Sequence, residues 1–121
     1  EKQKMLTYLQ KLTSEVLYLQ GDVSDKTTVS SWISVIKNRF GKINGIIHSA
    51  GILKDGLFVK KNDFDFESVL QAKIQGTINL DDITKEEKLD CFILFSSIAS
   101  IFGNIGQSDY STANGFLDSF A

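Results

Sequence analysis

Hydrophobic and polar positions follow two different periodicities along the chain. Apolar residues recur every three or four positions over residues 2–13, 25–40 and 64–80, which predicts helices. Short apolar runs over 16–20, 44–49 and 91–96 predict strands. A last helix is expected to begin near Asp109. The run CFILF has no polar alternation, which is typical of a parallel strand covered on both faces.

The order of these elements predicts the fold class. Strands that alternate with helices of a dozen or more residues are joined by right-handed crossovers into a parallel sheet. We therefore predict an α/β fold: part of a doubly wound parallel sheet, with three strands here and helices on both faces. Such sheets bind ligands beyond the carboxyl ends of their strands. This rule selects residues 21–23, 49–51 and 96–97 as the place to look for chemistry.

Composition narrows the function classes. A net charge of −2 over 121 residues offers no electrostatic attraction to nucleic acid or to an anionic membrane, and we expect neither as a partner. No apolar run reaches the roughly 18 residues of a membrane span. The lone His48 and Cys91 make no metal-ligand set, so no metal is expected. A single cysteine forms no internal disulfide, and a reducing cytoplasm is the simplest location.

Each candidate residue has an ordinary structural explanation when taken alone. Asp22 can accept hydrogen bonds from an adenine or a ribose, but an aspartate at this place more often caps a turn. Ala50 and Gly51 leave room for a flat ligand near the backbone, or simply form a tight exit from the strand. Lys73 shares a helix face with apolar groups, where lysines usually extend their ammonium to solvent.

Two further pairs of polar residues make the set more informative. Tyr110 and Asn114 lie one helical turn apart and share a side of the last helix. Ser96 and Ser97 follow the third predicted strand, at the rim of the sheet. Hydride addition to a ketone creates an alkoxide that needs a proton. A free tyrosine, with a pKa of about 10, supplies one poorly at neutral pH, and a lysine cation nearby stabilises the phenolate.

Several stretches carry a family resemblance: HSAGILKDGLF, VLQAKIQGTINLD, FILFSSIASIFGNIGQSDYSTAN and FLDSFA. Together they resemble the ketoreductase domains of modular polyketide synthases, a branch of the short-chain dehydrogenase/reductase family, whose fold is Rossmann-like. The resemblance implies NADPH as the cofactor. It implies that Tyr110 is the acid, Ser97 the anchor of the substrate oxygen, Lys73 the modulator and Asn114 the support. The cofactor-binding residues it implies are Asp22 and Val23 beside the adenine, Ala50 and Gly51 on the nicotinamide side, and Ser96.

The spacing of the site residues refines the resemblance. Ordinary short-chain dehydrogenases carry Tyr-x-x-x-Lys, whereas this chain has Tyr-x-x-x-Asn with its lysine upstream, as in polyketide and animal-type fatty acid synthase ketoreductases. Leu53-Lys54-Asp55 resembles the Leu-Asp-Asp motif of B-type domains, with Asp55 kept for stereocontrol. The tryptophan that marks A-type domains would fall near Phe102 and is absent. The resemblance therefore implies a B-type enzyme that forms the D-configured alcohol.

The resemblance also implies a domain assignment. Residues 1–121 are expected to be a fragment of one ketoreductase domain, without its N-terminal glycine-rich cofactor loop and its C-terminal strands and lid. The implied reaction is the NADPH-dependent reduction of a β-keto thioester on an acyl carrier protein, beside neighbouring synthase domains. Two alternatives remain. A non-catalytic structural domain of a multidomain synthase is disfavoured because all four catalytic residues, the tetrad of Tyr110, Ser97, Lys73 and Asn114, are present. A free-standing dehydrogenase is disfavoured by Asn114, which stands where that class has its lysine.

We predict that the 121 residues alone bind NADPH weakly and turn over poorly, because the glycine-rich loop that cradles the pyrophosphate is not among them. Titration of NADPH against the isolated chain measures this affinity. Micromolar binding would contradict the prediction.

Overall fold

The computed structural model describes residues 2–12 and 15–121. Its elements, in chain order, are α1 (Lys2–Leu12), α2 (Lys26–Phe40), β1 (Gly45–His48), a 3₁₀ turn (Phe58–Lys60), α3 (Asp63–Leu70), a π-helical turn (Gln71–Gln75), α4 (Gly76–Thr84), β2 (Cys91–Leu94), α5 (Ala99–Phe102) and α6 (Ser108–Phe120). The helix predicted over 2–13 is present as α1, and Thr13 lies outside the described residues.

Helix α2 has the boundaries that its end residues dictate. The Asp25 carboxylate accepts hydrogen bonds from the Thr27 N–H at 3.0 Å and the Thr28 hydroxyl at 2.6 Å, which satisfies the free donors of the first turn. Gly41 ends the helix with a φ of +83°, a conformation that favours glycine, and its N–H returns to the Lys37 carbonyl. The helix predicted over 25–40 is therefore confirmed.

The long helix predicted over 64–80 is present as a continuous rod made of α3, the π-helical turn and α4. Asn62 caps its start by accepting the Asp65 N–H at 2.8 Å. Near its other end the buried Asn79 amide donates to the carbonyls of Val23 at 3.1 Å and Ser24 at 2.8 Å. These two bonds fix the long helix to the stretch that follows the first predicted strand.

The sheet consists of β1 and β2, which pair in parallel with Gly45 opposite Cys91 and His48 opposite Leu94. The α/β fold class and the parallel sheet are thus confirmed, and two details differ from the prediction. First, the side chains alternate: His48 is buried, whereas Ile47 and Ile93 on the opposite face are 65% and 44% exposed. Helices α2, α4, α3 and α6 contact one another in one connected layer, which lies against the face of the sheet that carries His48.

The crossover rule explains why only one face is covered. Right-handed crossovers that progress in one direction along a sheet place their helices on the same side. In a doubly wound sheet the opposite face is covered by crossovers that progress the other way. The crossovers through α2 and through the long helix progress in the same direction, so their helices lie on the same face of the sheet.

The second difference concerns residues 16–20, which form no strand. In the common strand order 3-2-1-4-5-6, residues 16–20 would take the place of strand 3 and β1 that of strand 4, so two other strands would separate them. Without a neighbour, the apolar run VLYLQ has no ladder to join. Its β-forming residues are present, but its hydrogen-bonding partner is not.

The core is small and lies between the long helix, α2 and α6. Its buried apolar residues are Val29, Val69, Ala72, Ala99, Ala113 and Leu117. Gly76 is a point of close approach between the long helix and the residues that it packs against: a Cβ there would lie 2.8 Å from Val23 Cγ1 and 3.2 Å from His48 Cε1.

We predict that Gly76→Ala lowers the free energy of unfolding by about 1–3 kcal/mol, because the methyl group overpacks a closed contact. Gly115→Ala is the matched control: it is also helical, but its Cβ meets no atom within 4 Å. This control is expected to gain about 0.5–1 kcal/mol from helix propensity. Urea unfolding of the complete domain measures both, and equal effects of the two substitutions would contradict the packing argument.

Candidate active site

Lys73 is held inside the protein by the π-helical turn. The Gly76 N–H donates to the Gln71 carbonyl five residues earlier, and such turns often occur at functional sites. The side chain is only 4% exposed, and its ammonium donates to the Phe95 carbonyl at 2.8 Å, just beyond the end of β2. Burial lowers the pKa of Lys73 below its usual value. The snorkelling expected of an ordinary lysine does not occur.

The backbone of Lys73 is fixed as firmly as its side chain. Its carbonyl accepts the Thr77 hydroxyl at 2.6 Å and lies 3.4 Å from His48 Nε2. Because a carbonyl only accepts, the hydrogen of the His48 ring is assigned to Nε2. Burial lowers the pKa of His48, which favours its neutral form. The buried histidine at the end of β1 therefore supports the backbone of the lysine.

Tyr110 and Asn114 lie on α6, and the ring of Tyr110 faces Lys73. The Lys73 ammonium is 5.7 Å from the centre of the Tyr110 ring, within the range of a cation–π contact. The fully buried Asn114 amide donates to the Tyr110 carbonyl at 2.7 Å, one turn back along the helix. Asn114 Oδ1 is buried and has no hydrogen-bond partner among the described residues. A buried amide oxygen without a partner, on the helix that carries the phenol, is an acceptor available to a bound group or a water.

The two serines after β2 make different hydrogen bonds. The Ser97 hydroxyl oxygen accepts the Ala99 N–H at 3.2 Å, at the start of α5, so the capping role that is ordinary for such a serine is present. Its own O–H hydrogen remains available to donate. Ser96 donates from its hydroxyl to the Asn114 carbonyl at 3.3 Å and thereby joins the strand end to α6.

A cleft of about 550 Å³ brings together four of the predicted cofactor-binding residues. These are Asp22, Val23, Ala50 and Gly51, and the cleft is also lined by Trp32 and His48. Gly51 lies directly against the buried lysine, since a Cβ there would be 3.3 Å from Lys73 Cε. The Asp22 carboxylate also accepts the Ser24 N–H and hydroxyl, each at 2.8 Å, as a turn-forming aspartate does. Tyr110, Ser97 and Ser96 do not line this cleft.

Asp55 lies apart from the tetrad, on an exposed loop that touches the segment before α6. Both of its carboxylate oxygens accept the Gln107 amide, at 3.1 and 3.0 Å. The Gly56 N–H donates to the Gly106 carbonyl at 2.9 Å. Lys54, at the first Asp position of the Leu-Asp-Asp motif, pairs with Asp65 at 3.3 Å.

Two features of this region had no signal in the sequence. One is the π-helical turn under Lys73, because helical periodicity does not reveal an extra residue in one turn. The other is an ion pair of Lys61 with Asp109, with side chains 5% and 1% exposed. Nothing in the pattern distinguishes Lys61 from the neighbouring Lys60. Asp109 stands in the first turn of α6, where acidic residues are common.

The described part of the chain has neither a cluster of metal ligands nor a helix that could span a membrane. No group of three or more His, Cys, Asp or Glu side chains there is arranged to hold a metal ion. None of its helices has the length and apolar character needed to cross a membrane.

Comparison with known proteins decides the family. The family model described as "KR domain" matches residues 1–121. The chain belongs to this ketoreductase family. Polyketide synthase PksL of Bacillus subtilis (strain 168) is 45% identical to it over 120 residues, 99% of this chain but 3% of PksL. The ketoreductase chain thus spans a small part of the length of the curated relatives it matches.

Solved structures agree with this assignment. The crystal structure of an N-terminal ketoreductase from the macrolactin assembly line is 42% identical, with a TM-score of 0.95 over 98% of this chain and 24% of that one. A short-chain dehydrogenase from Mycobacterium avium, at 20% identity, has a TM-score of 0.85 over 98% of this chain and 45% of its own. The second match concerns the fold alone. The predicted polyketide synthase ketoreductase family and Rossmann-like fold are confirmed.

The buried ammonium gives the ketoreductase a pH-dependent stability. Because burial lowers the folded-state pKa of Lys73, the cost of burying its charge is fully present at low pH, where both states are protonated. As pH rises through the lowered folded pKa towards the ordinary value of 10.5, the folded state binds fewer protons than the unfolded one. Its free energy of unfolding therefore rises relative to that of Lys73→Met. Urea unfolding of the complete domain across this pH range measures the difference.

Lys42 is exposed, and Lys42→Met is the control for loss of a lysine charge. Its free energy of unfolding is expected to change with pH as that of the wild type does. Parallel curves for the wild type and Lys73→Met would contradict the assigned burial of the cation.

Proposed function

We propose that these residues form the catalytic part of a ketoreductase domain that reduces a β-keto thioester on an acyl carrier protein. The product is a β-hydroxy thioester, the cofactor is NADPH and the setting is polyketide biosynthesis. The observation that carries the proposal is the buried Lys73 ammonium, 5.7 Å from the centre of the Tyr110 ring. A cation this close to the ring can stabilise the negative charge that develops on the phenol as it gives up its proton.

The residues around Lys73 fit the nicotinamide half of such a cofactor. Ala50 and Gly51 present backbone with almost no side chain along the cleft, and Gly51 borders the lysine. An ammonium has three N–H donors, of which one is used by the Phe95 carbonyl, so donors remain for the hydroxyl groups of a ribose. Asp22 and Val23 line the same cleft and would border the adenine. When bound, the reduced nicotinamide supplies the hydride.

Tyr110 then has the task of giving a proton. Its phenol protonates the alkoxide oxygen that forms as the substrate carbonyl is reduced, and the Lys73 cation stabilises the resulting phenolate. The free O–H hydrogen of Ser97 donates to the substrate oxygen and holds it in place. These roles assign one hydrogen-bonding task to each group.

Asn114 supports the tyrosine in two ways. Its amide donor fixes the Tyr110 carbonyl, and therefore the helical turn that carries the phenol. Its unpartnered Oδ1 is an acceptor for a water or for the lysine, through which the proton lost by Tyr110 can be replaced. Asp55 on the adjacent loop is assigned to the choice of substrate face, as in a B-type ketoreductase.

The wider assignment follows from the family. The 121 residues are proposed to be one part of the domain, with the pyrophosphate loop and the lid supplied by other segments. The acyl carrier protein and neighbouring synthase domains are the proposed partners, in the cytoplasm. A purely structural domain would need none of the four tetrad side chains, and the following experiment separates that alternative.

Tyr110→Phe is expected to lower turnover by roughly 10²- to 10⁴-fold, the usual contribution of a general acid. The fold should survive, because the structure shows no hydrogen bond from the phenol to another described residue and only an oxygen is removed. The measurement is NADPH oxidation by the complete domain with a β-keto thioester mimic. Tyr18→Phe, at a half-exposed tyrosine, is the matched control and should retain full activity.

Turnover by Tyr110→Phe equal to that of the wild type would remove the proposed acid. A wild-type domain that is folded, binds NADPH and reduces no β-keto thioester would favour the structural alternative.

A further inference from the structure

The ion pair of Lys61 with Asp109 differs from the other ion pairs of the described residues. Its two charged atoms are 2.5 Å apart, and its side chains are 5% and 1% exposed. The other pairs are at least partly open to solvent, with one partner between 44% and 62% exposed. Removing an ammonium and a carboxylate from water is costly, and a buried pair of this kind is a weak source of stability. The burial of this pair therefore has to be explained by something other than stability.

Asp109 connects the pair directly to the proposed acid. One carboxylate oxygen accepts the Lys61 ammonium, and the other accepts the Tyr110 N–H at 2.9 Å. Both oxygens are thus used, one by a side chain from a distant loop and one by the backbone of the residue that carries the phenol. The carboxylate also stands in the first turn of α6, where negative charge is favourable.

Lys61 connects the pair to the other side of the proposed substrate site. Its ammonium also donates to the Lys54 carbonyl at 2.5 Å, so it closes the loop of residues 54–61 on itself. The same loop carries Asp55 and reaches the segment before α6 through Gln107 and through the Gly56–Gly106 backbone bond. One buried cation thereby links the Asp55 loop to the backbone of Tyr110.

We propose that Lys61 and Asp109 are positioning residues that hold the phenol of Tyr110 and the Asp55 loop in one fixed arrangement. The inference rests on the proposed function, because it takes Tyr110 as the acid and the Asp55 loop as the part that orients the substrate. Neither residue touches the reacting atoms in this account. They act through the backbone of Tyr110 and through the loop of residues 54–61.

The test compares Lys61→Met, Lys61→Arg and Asp109→Asn in the complete domain. Lys61→Met is expected to lower kcat by roughly ten- to a hundredfold, since small misplacements of a catalytic group have effects of this size. It should also raise the share of the minor hydroxyl stereoisomer and leave the NADPH dissociation constant unchanged. Lys61→Arg, which keeps the charge, should restore most of kcat and the stereoisomer ratio. Asp109→Asn should behave like Lys61→Met.

The control is the exposed pair of Lys26 with Asp82, whose side chains are 62% and 48% exposed. Lys26→Met and Asp82→Asn make the same chemical changes and are expected to leave kcat and the stereoisomer ratio as in the wild type. Circular dichroism and thermal unfolding establish whether each variant is folded. If Lys61→Met fails to fold, Asp109→Asn and Lys61→Arg decide the question by the same readouts.

Hydrogen exchange keeps this inference separate from the proposed function. In Lys61→Met the amides of Tyr110 and Gly56 should exchange faster than in the wild type, whether or not the domain turns over a substrate. Slow exchange at both amides together with a wild-type kcat and stereoisomer ratio would overturn the positioning role. If Tyr110→Phe retains turnover in the same assay, the assigned acid is wrong, and the exchange result still tests the link between the loop and α6.

Discussion

The arrangement of this protein depends on one buried cation. Lys73 is 4% exposed and pairs with no carboxylate of the described residues. Its ammonium is held by the Phe95 carbonyl and lies near the face of the Tyr110 ring. A cation–π contact contributes about 0.5–2 kcal/mol, whereas the desolvation of an ammonium costs several kcal/mol. Burial lowers the pKa of Lys73, in the direction expected where desolvation of the ammonium outweighs these contacts. The site therefore costs stability, and this cost is expected of a group kept for chemistry.

The rest of the fold explains how such a cation is held in place. The π-helical turn and the Thr77 and His48 contacts fix the backbone of Lys73, the end of β2 supplies its acceptor, and α6 brings the tyrosine to it. Gly51 completes the enclosure, because any larger residue there would meet the lysine side chain. The long helix, the ends of β1 and β2, and α6 thus converge beyond the carboxyl ends of the strands, where a parallel sheet places its ligands.

Many of the helix boundaries and site residues could be predicted from the local sequence, whereas the other features depend on tertiary structure. Asp25 and Gly41 set the limits of α2 by capping chemistry that is visible in the sequence. The strand at 16–20 was predicted from the same kind of local signal and does not form, because strand formation depends on a neighbour. Tyr110, Asn114 and Lys73 were selected by spacing and by family resemblance. Lys61 was not, since its burial depends on a loop whose path no periodicity encodes.

The most direct measurement is a crystal structure of the complete ketoreductase domain with its nicotinamide cofactor bound. We expect Lys73 to remain buried there, with its ammonium within about 6 Å of the Tyr110 ring centre. We also expect the Ser97 hydroxyl and the Tyr110 phenol to face the same space beside the nicotinamide. A lysine that turns to solvent in the occupied site, or a phenol that faces away from the nicotinamide, would contradict the account.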